Sequence, residues 1–248
     1  MKDWNYENEQ WIGLPAHLKH LPLFTRHYDM TSVFFRILWG LFLKVMFKTY
    51  IRLKVQGDFH ALWNKYPRLI LISNHASHLD AVSIAAAVPF KYWTHLFMSA
   101  AKDYWFKNSV FTFFSKHCLG AIPIDRKDRK GEAIKLCTTL LKTLDRIWLI
   151  IFPEGTRSKD GYIQNFKRGV SLFAEKTETP ILFLYLEGNS KLMPKGRAIP
   201  LPGNLTIHVG PVYDPLPVEE LYAAYKTWVL TINPEAYAPE DDNNNSPE

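Results

Sequence analysis

The chain has 248 residues, of which 47% are hydrophobic and 15% aromatic, enough for a sizeable buried core. Its two cysteines, Cys118 and Cys137, exclude a disulfide framework and a multi-cysteine zinc site, and they are typical of a reducing compartment. The net charge of +6 is carried by the central part, because residues 1–29 and 236–248 are both net acidic. A basic body predicts an anionic partner such as a phospholipid surface, a nucleic acid or a phosphorylated substrate.

The two ends of the chain differ from its middle. Residues 1–29 contain Pro15 and Pro22 and are predicted to form an irregular arm, whose polar start is not typical of a secretory signal. Residues 236–248 are acidic and rich in asparagine, which predicts a disordered acidic tail. We expect a helix over 30–52 and one folded domain over 53–235.

The stretch 33–47, VFFRILWGLFLKVMF, predicts an amphipathic helix that is too short and too charged to span a bilayer. A spacing of four residues places a narrow, mainly basic stripe on one side of it, comprising Ser32, Arg36, Gly40, Lys44, Lys48 and Arg52. The remaining positions are almost all apolar. This pattern favours a helix lying in a membrane interface, with Arg36, Lys44 and Lys48 among its interface contacts. The alternative is a core helix whose basic stripe faces water.

From residue 53 onward, apolar strands alternate with amphipathic helices. The predicted strands are 68–72, 147–152, 181–186 and 205–210, and the predicted helices are 81–88, 130–144, 169–176 and 218–232. This order predicts an α/β fold with a mostly parallel or mixed central sheet flanked by helices. In such sheets the chemistry lies at the carboxyl ends of the strands.

The first strand runs directly into SNHASHLD, residues 73–80. His75 and Asp80 point apart on a continuous helix, but they can meet if the chain turns at Asn74 and Ser77, which both favour turns. Asp80 would then hold one imidazole nitrogen and leave the other free to take a proton, as a general base does.

Two other interpretations of this stretch stay open. Asp80 could cap a helix while His75 is an ordinary loop residue. Alternatively, His75, His78 and Asp80 could supply ligands to a metal ion, although their spacing fits no metal motif. A general base needs a substrate that brings its own hydroxyl, and the chain offers no G-x-S-x-G elbow for a serine hydrolase.

A second polar cluster, PEGTRS, follows the strand at 147–152. Pro153 stops the strand, and Gly155 allows the backbone to approach a ligand closely. Thr156 offers a hydroxyl and Arg157 a guanidinium fork for a phosphate. Glu154 could hold Arg157 or bond a substrate hydroxyl. The alternative is an exposed turn with a weak Arg–Glu pair.

A third cluster, GAIPIDRKDR, brings Arg126 to the end of another strand, unless it is simply a solvated charge run. Together the clusters resemble the glycerolipid acyltransferase family typified by 1-acylglycerol-3-phosphate acyltransferase. The similar segments are NHASHLD (N-H-x-x-x-x-D), GAIPIDR, FPEGTRS, TPILFLYLEG and MPKG, in family order across about residues 50–212. The family's second proline in the fourth motif is replaced here, since Pro180 is followed three residues later by Phe183. That departure bears on the wall of the acyl or acceptor pocket.

The resemblance implies a mechanism and a set of site residues. His75, oriented by Asp80, would take the proton from the free hydroxyl of 1-acylglycerol 3-phosphate, which attacks an acyl thioester. The donor would be acyl-CoA or acyl carrier protein, the product phosphatidic acid, and no cofactor or metal is expected. Phosphate and glycerol contacts are expected from Arg126, Glu154, Gly155, Thr156, Arg157 and Lys102, with structural or pocket roles for Asn74, Ser77, Pro153 and Pro180.

The same resemblance leaves other functions open. The acceptor could be another lysophospholipid or glycerol 3-phosphate, or the chain could be a non-catalytic membrane lipid-binding module. Nucleic-acid binding is not favoured, because the aromatic residues fall in apolar runs and are not interleaved with Lys and Arg. We expect a membrane-associated protein at the cytoplasmic face, in contact with the phospholipid surface.

Overall fold

The computed structural model describes residues 30–101, 105, 108–124, 132–194, 197 and 199–239. The predicted arm at 1–29, most of the predicted tail, and two predicted substrate contacts, Lys102 and Arg126, lie outside these residues. So does part of the MPKG loop at 193–196.

The seven described strands form one sheet. They are β1 (Ile51–Gln56), β2 (Arg68–Ser73), β3 (Leu96–Ala101), β4 (Ala121–Ile124), β5 (Ile147–Ile151), β6 (Ile181–Glu187) and β7 (Gly203–Tyr213), in the order β1-β7-β6-β2-β5-β3-β4. The five strands from β6 to β4 are parallel, whereas β7 runs antiparallel to β6 and parallel to β1. The predicted mixed sheet is confirmed, and β2, β5, β6 and β7 fall at the predicted positions.

Helices cover both faces of the sheet. The described helices are α1 (Met30–Thr49), α2 (Phe59–Lys65), α3 (Asp80–Ala87), α4 (Ser109–Phe114), α5 (Glu132–Thr143), α6 (Gly169–Thr177), α7 (Asn189–Leu192) and α8 (Val218–Leu230). Successive residues of β2 point to opposite faces, so Leu69 and Leu71 join the core under α1 and α3. Ile70 and Ile72 join the core under α5, α6 and α8. A sheet buried on both faces explains the continuous apolar runs of its central strands.

Two members of the basic stripe of α1, Arg36 and Lys44, point towards the protein, contrary to the prediction that they contact lipid headgroups or water, whereas Lys48 is exposed. Arg36 is buried, and its Nη1 donates to the carbonyl oxygens of Trp93 at 3.0 Å and Thr94 at 3.3 Å. Lys44 Nζ donates to the oxygens of Ala86 at 2.6 Å and Val88 at 3.2 Å. The carbonyls of Ala86 and Val88, at the end of α3, lie where a helix leaves its last oxygens without helical partners, which is why a cation is stabilised there.

The apolar side of α1 points away from the protein. Six large side chains on it are each about half exposed or more, and we call them the outer face: Phe34, Ile37, Leu38, Leu41, Phe42 and Val45. No membrane-spanning helix is found among the residues that the structure describes. The helix ends at Thr49, before the predicted residue 52, because the chain enters edge strand β1 at Ile51.

The start of the predicted tail belongs to the folded domain. Ala236 is buried, and its carbonyl oxygen accepts a hydrogen bond from the backbone N–H of Ile163 at 3.0 Å. Tyr237 packs against the core under α8. The predicted boundary at 236 is therefore wrong, because apolar residues at 236 and 237 still have a core to join.

Candidate active site

A cavity of about 360 Å³ opens where β2, β3 and β5 end. Its lining has a polar part and an apolar part. The polar part includes His75, Ser77, His78, Thr156, Arg157 and Lys167, and the apolar part includes Val82, Met98, Leu119, Ile134, Val170 and Phe173. The carboxyl ends of parallel strands meet at this edge, so the first and third motifs lie side by side as sheet topology requires.

His75 and Asp80 form a hydrogen-bonded pair at the cavity wall. Nδ1 of His75 lies 2.9 Å from Oδ2 of Asp80, a residue with no exposed surface. The same oxygen accepts from the backbone N–H groups of Ala76 at 2.8 Å and Ser77 at 2.9 Å, so the loop wraps around the carboxylate. The His75 ring stacks on Phe152 with 4.1 Å between ring centres. Since Nδ1 is engaged, Nε2 is the nitrogen available to a hydroxyl in the cavity.

The pairing decides against a simple capping role for Asp80. The cap position of α3 is held by Leu79, and the oxygens of Asp80 are engaged by groups outside that helix. Asn74 closes the other side of the loop, because its side chain donates to the Leu186 oxygen at 3.0 Å and accepts from the Leu186 N–H at 2.8 Å. The Ser77 hydroxyl accepts from the N–H of Leu79 at 3.1 Å and shapes the turn.

Asn189 is a site residue that the sequence analysis missed. It is buried at the start of α7, and its Nδ2 donates to Oδ1 of Asp80 at 2.9 Å. Its own Oδ1 accepts from the N–H of Ser190 at 2.9 Å, which fixes the amide orientation. The signal was present, because a polar residue three positions after the predicted strand 181–186 lies at the sheet edge that carries the chemistry.

We expect Asn189→Ala to lower kcat about tenfold while KM stays within about twofold, because a charge-assisted hydrogen bond to Asp80 is lost. The pH dependence of kcat should shift as well, since the carboxylate that orients His75 changes its hydrogen bonding. Steady-state kinetics across pH would measure both effects. Asn64→Ala, in the exposed part of α2, is the matched control. Equal kinetics for the two variants would exclude a positioning role for Asn189.

Glu154 does not contact the cavity, contrary to its predicted role in substrate or Arg157 binding. It is 2% exposed, its Oε1 accepts from the His75 N–H at 2.6 Å, and its Oε2 accepts from the Gln164 N–H at 3.0 Å. The carboxyl group therefore ties the loop after β2 to the loop after β5. Burial raises the pKa of Glu154 to about 8, with a further contribution from Asp80, although the two backbone N–H groups oppose the shift.

The raised pKa of Glu154 predicts a pH-dependent stability. In the folded state the Glu154 carboxyl keeps its proton up to about pH 8, whereas in the unfolded chain it loses that proton near pH 4.5. The free energy of unfolding should therefore fall as pH rises through that window. In Glu154→Gln the fall should be shallower, while absolute stability drops because an amide NH₂ meets a backbone N–H. Urea unfolding at several pH values would compare the slopes, and parallel slopes would contradict the prediction.

The turn after β5 presents donors to the cavity. Gly155 has a φ of 71°, a conformation that favours glycine, and an added Cβ would lie 2.8 Å from the Lys167 side chain. Thr156 is exposed at the cavity mouth. Arg157 is half-buried, and within the described part of the chain its buried Nη1 has no hydrogen-bond partner. An unsatisfied guanidinium donor in a polar cavity is suited to an anion.

Two further cavity residues complete the polar part. Lys167, which the sequence analysis did not select, adds a second cation to the cavity lining beside Gly155. The pKa of His78 is lowered to about 4, first by burial and then by the positive charges of Arg157 and His75. His78 is therefore neutral at neutral pH and can serve as a hydrogen-bonding group. The positive charge of the described cavity lining comes from Arg157 and Lys167.

Comparison with known proteins follows this geometry. The family model described as Acyltransferase matches residues 52–186, more than half of the chain, and this range contains both motif loops. The chain belongs to the Acyltransferase family. It is 31% identical over 135 residues to 1-acyl-sn-glycerol-3-phosphate acyltransferase BAT2 of Brassica napus, which covers 51% of this chain and 35% of that protein. It is 28% identical over 190 residues to 1-acyl-sn-glycerol-3-phosphate acyltransferase alpha of Ovis aries, covering 75% and 61%. The chain thus spans only part of the length of these relatives.

The fold of this Acyltransferase-family chain is that of a solved family structure. The crystal structure of the 1-acyl-sn-glycerophosphate acyltransferase PlsC from Thermotoga maritima superposes with a TM-score of 0.64 at 24% identity. The match covers 84% of this chain and 82% of the other. At 24% identity, this similarity shows that the two chains share a fold.

The fourth motif of this Acyltransferase-family chain, residues 179–188, places neither Pro180 nor Phe183 at the cavity. Pro180 precedes β6 at the amino end of the strand, where its carbonyl oxygen accepts from the Ile70 N–H at 3.0 Å. Phe183 is fully buried and packs against Tyr213 and Tyr225 in the core under α8. The predicted pocket role of Pro180 is therefore wrong, and Phe183 replaces the family's second proline inside the core. Pro153, by contrast, does line the cavity.

A metal site at the first motif finds no support in the geometry of the described residues. In the described ranges, no group of three or more His, Cys, Asp and Glu side chains is arranged to hold a metal ion. Two of the ligand atoms that this hypothesis requires, Nδ1 of His75 and Oδ2 of Asp80, are instead hydrogen-bonded to each other at 2.9 Å.

Proposed function

We propose that this chain transfers a fatty acyl group from a thioester donor to the free hydroxyl of 1-acylglycerol 3-phosphate, giving phosphatidic acid. The observation that carries the proposal is the His75–Asp80 pair at 2.9 Å in a cavity that also holds an Arg157 donor without a partner among the described residues. The described residues place a base beside an anion site and offer no activated nucleophile, which suits an acceptor that brings both a hydroxyl and a phosphate.

In the proposed reaction, Nε2 of His75 takes the proton of the acceptor hydroxyl while that oxygen bonds to the thioester carbonyl carbon. The tetrahedral intermediate then expels the thiolate, and the proton passes from His75 to sulfur, so that a free thiol and an ester leave. Asp80 holds the imidazole in one tautomer and stabilises its protonated form. Stacking on Phe152 keeps the ring in place through both transfers.

The cavity lining supports the same substrates. Its apolar part, formed by side chains such as Met98, Leu119 and Phe173, suits an acyl chain, and its cationic part suits the phosphate. Donors in the proposal are acyl-CoA or acyl carrier protein, and both enter as substrates. The relatives named as 1-acyl-sn-glycerol-3-phosphate acyltransferases support the acceptor.

The test is thiol release from an acyl-CoA, with and without 1-acylglycerol 3-phosphate, for the wild type and His75→Ala. We expect acceptor-dependent release that the variant loses, whereas His60→Ala, a control histidine outside the cavity, retains it. Release without acceptor would point to a thioesterase. No release from acyl-CoA or acyl carrier protein with any lysophospholipid or glycerol 3-phosphate would leave a lipid-binding module as the better interpretation.

Membrane association at the cytoplasmic face is part of the proposal, and the outer face of α1 supports the membrane contact itself. An apolar surface of this extent on one helix is typical of a protein or membrane contact. A lysophospholipid acceptor resides in a bilayer, so contact with lipid would bring the cavity to its substrate. The phospholipid surface is accordingly the proposed partner of α1.

We expect Leu41→Gln to weaken binding to phosphatidylcholine vesicles about tenfold, because one apolar side chain on the outer face no longer leaves water. Leu172→Gln, which alters an exposed leucine on α6, is the matched control. Deleting the helix would be a poor test, since Leu43 and Phe47 belong to the core. Vesicle sedimentation would measure both variants, and equal losses would place the membrane contact elsewhere.

A further inference from the structure

A second cavity, of about 770 Å³, lies at the free edge of β1. It is bounded by the last turns of α1, the end of α3 and strands β1 and β7, and we call it the edge cavity. Four cationic residues line it, namely Lys44, Lys48, Arg52 and Lys54. The other described lining residues are apolar or neutral, and none is acidic. Such a concentration of one charge sign in a cavity attracts anions.

Three of these cations have no counter-charge among the residues that the structure describes. Lys44 is committed to the carbonyl oxygens at the end of α3, but Lys48, Arg52 and Lys54 are exposed, and none forms a salt bridge with a described residue. The acid Glu187 on β6 lies level with Lys54 across the sheet, with Thr206 of β7 between them. Its carboxylate is hydrogen-bonded to His208 at 2.9 Å. An anion in the edge cavity would therefore relieve the mutual repulsion of the lysines and arginine.

The edge strand carries Arg52 and Lys54 on the sheet face opposite α1, so two of the cations border the cavity from each side of the strand. Arg52 and Lys54 alternate with Leu53 and Val55 along β1, so the cavity wraps around the unpaired edge of the strand. Asn204 and Thr206 lie opposite Arg52 and Lys54 on β7 and add neutral hydrogen-bonding groups. Ammonium and guanidinium donors together with an amide and a hydroxyl form the set that binds phosphate oxygens.

The edge cavity is separate from the active site. None of its described lining residues lines the active-site cavity. Asp80, which orients His75, begins α3, whereas Ala86 and Ala87 at the other end of that helix border the edge cavity. At 1.5 Å per residue, the two ends of α3 lie roughly 10 Å apart.

The outer face of α1 identifies the source of the anion. Leu41 and Val45 on that face lie within one turn of Lys44 and Lys48 along the helix. When apolar side chains of an interfacial helix enter the acyl region, neighbouring cations stand at the level of the headgroup phosphates. A phosphate held by the bilayer would thus meet the edge cavity directly.

We propose that the edge cavity binds the phosphate headgroup of an anionic phospholipid in the bilayer that α1 contacts. This inference rests on the membrane contact in the proposed function, but it adds a lipid site distinct from the acceptor site. One bound headgroup beside α3 fixes the rotation of the protein about α1. The active-site cavity then keeps a defined orientation relative to the lipid surface.

The test compares vesicles of phosphatidylcholine alone with vesicles of phosphatidylcholine and phosphatidylglycerol in equal parts. The variant replaces Lys48, Arg52 and Lys54 by glutamine, and the charge-matched control replaces Lys135, Lys142 and Lys176, which are exposed on α5 and α6. We expect the edge variant to lose at least about tenfold in affinity for phosphatidylglycerol vesicles and to bind phosphatidylcholine vesicles as the wild type does. The control should stay within about twofold on both. Thermal melting verifies that both variants are folded.

Three results would overturn the inference. Equal losses in the edge variant and the control would show a general charge effect. Unchanged phosphatidylglycerol binding in the edge variant would exclude the site. Saturable binding of inorganic phosphate that the edge variant loses, without any loss on vesicles, would assign the cavity to free phosphate. Thiol release is measured on the same preparations. If acyl transfer is absent but the edge variant still loses vesicle binding, the proposed function is overturned and the lipid site is supported.

Discussion

Asp80→Asn is expected to lower kcat for acyl transfer on the order of 10³-fold, the largest effect of any single substitution outside His75. Oδ2 of Asp80 accepts three hydrogen bonds, from His75 Nδ1 and from the N–H groups of Ala76 and Ser77. Oδ1 accepts a fourth, from Asn189. An asparagine has one acceptor oxygen and one NH₂, so either His75 loses its acceptor or Asn189 faces a second donor.

The kinetic pattern separates orientation from folding. Loss of the His75 tautomer should appear in kcat, with KM for both substrates nearly unchanged, because neither substrate touches Asp80. The melting temperature should also fall, since Asp80 is buried and organises the loop, so rates are compared well below it. Asp145→Asn, at an exposed acid outside the cavity, is the control. A full rate in correctly folded Asp80→Asn would exclude general-base catalysis by an oriented histidine.

The sheet and the motif loops could be predicted because their signals are local. An apolar run such as 68–72 predicts a buried strand, and a turn-forming segment directly after it predicts polar groups at the sheet edge. The pairing of His75 with Asp80 followed from the same rule, since only a turn brings residues five apart together. In these elements a few neighbouring residues determine both the conformation and the chemistry.

Contacts between segments that are distant along the chain could not be predicted from such local signals. The stripe of α1 was visible in the sequence, but its direction depends on carbonyl oxygens at Ala86 and Trp93, more than 40 residues away. Glu154 was assigned to substrate because its partners, the N–H groups of His75 and Gln164, come from two other loops. These charged residues were expected to face water or a ligand, but they form hydrogen bonds with buried backbone groups. The periodicity of the sequence does not reveal such contacts.

Arg157→Ala is expected to weaken use of the phosphorylated acceptor about 10- to 100-fold, because charge-assisted hydrogen bonds to the phosphate are lost. The loss should fall on kcat/KM for 1-acylglycerol 3-phosphate, while KM for the thioester donor stays within about twofold. Arg157→Lys should recover only part of the activity, since a lysine keeps the charge but not the planar fork. Arg168→Ala, at an exposed arginine nearby, is the control.

An acceptor without a phosphate gives the sharper form of this test. If Arg157 binds the phosphate, wild type and Arg157→Ala should use a monoacylglycerol with equal, low efficiency, because the contact that distinguishes them is missing from the substrate. If Arg157 instead supports the fold of the loop, the variant should lose as much with monoacylglycerol as with 1-acylglycerol 3-phosphate. The buried Nη1 argues for the first result, since it has no hydrogen-bond partner among the described residues and a phosphate oxygen would supply the acceptor.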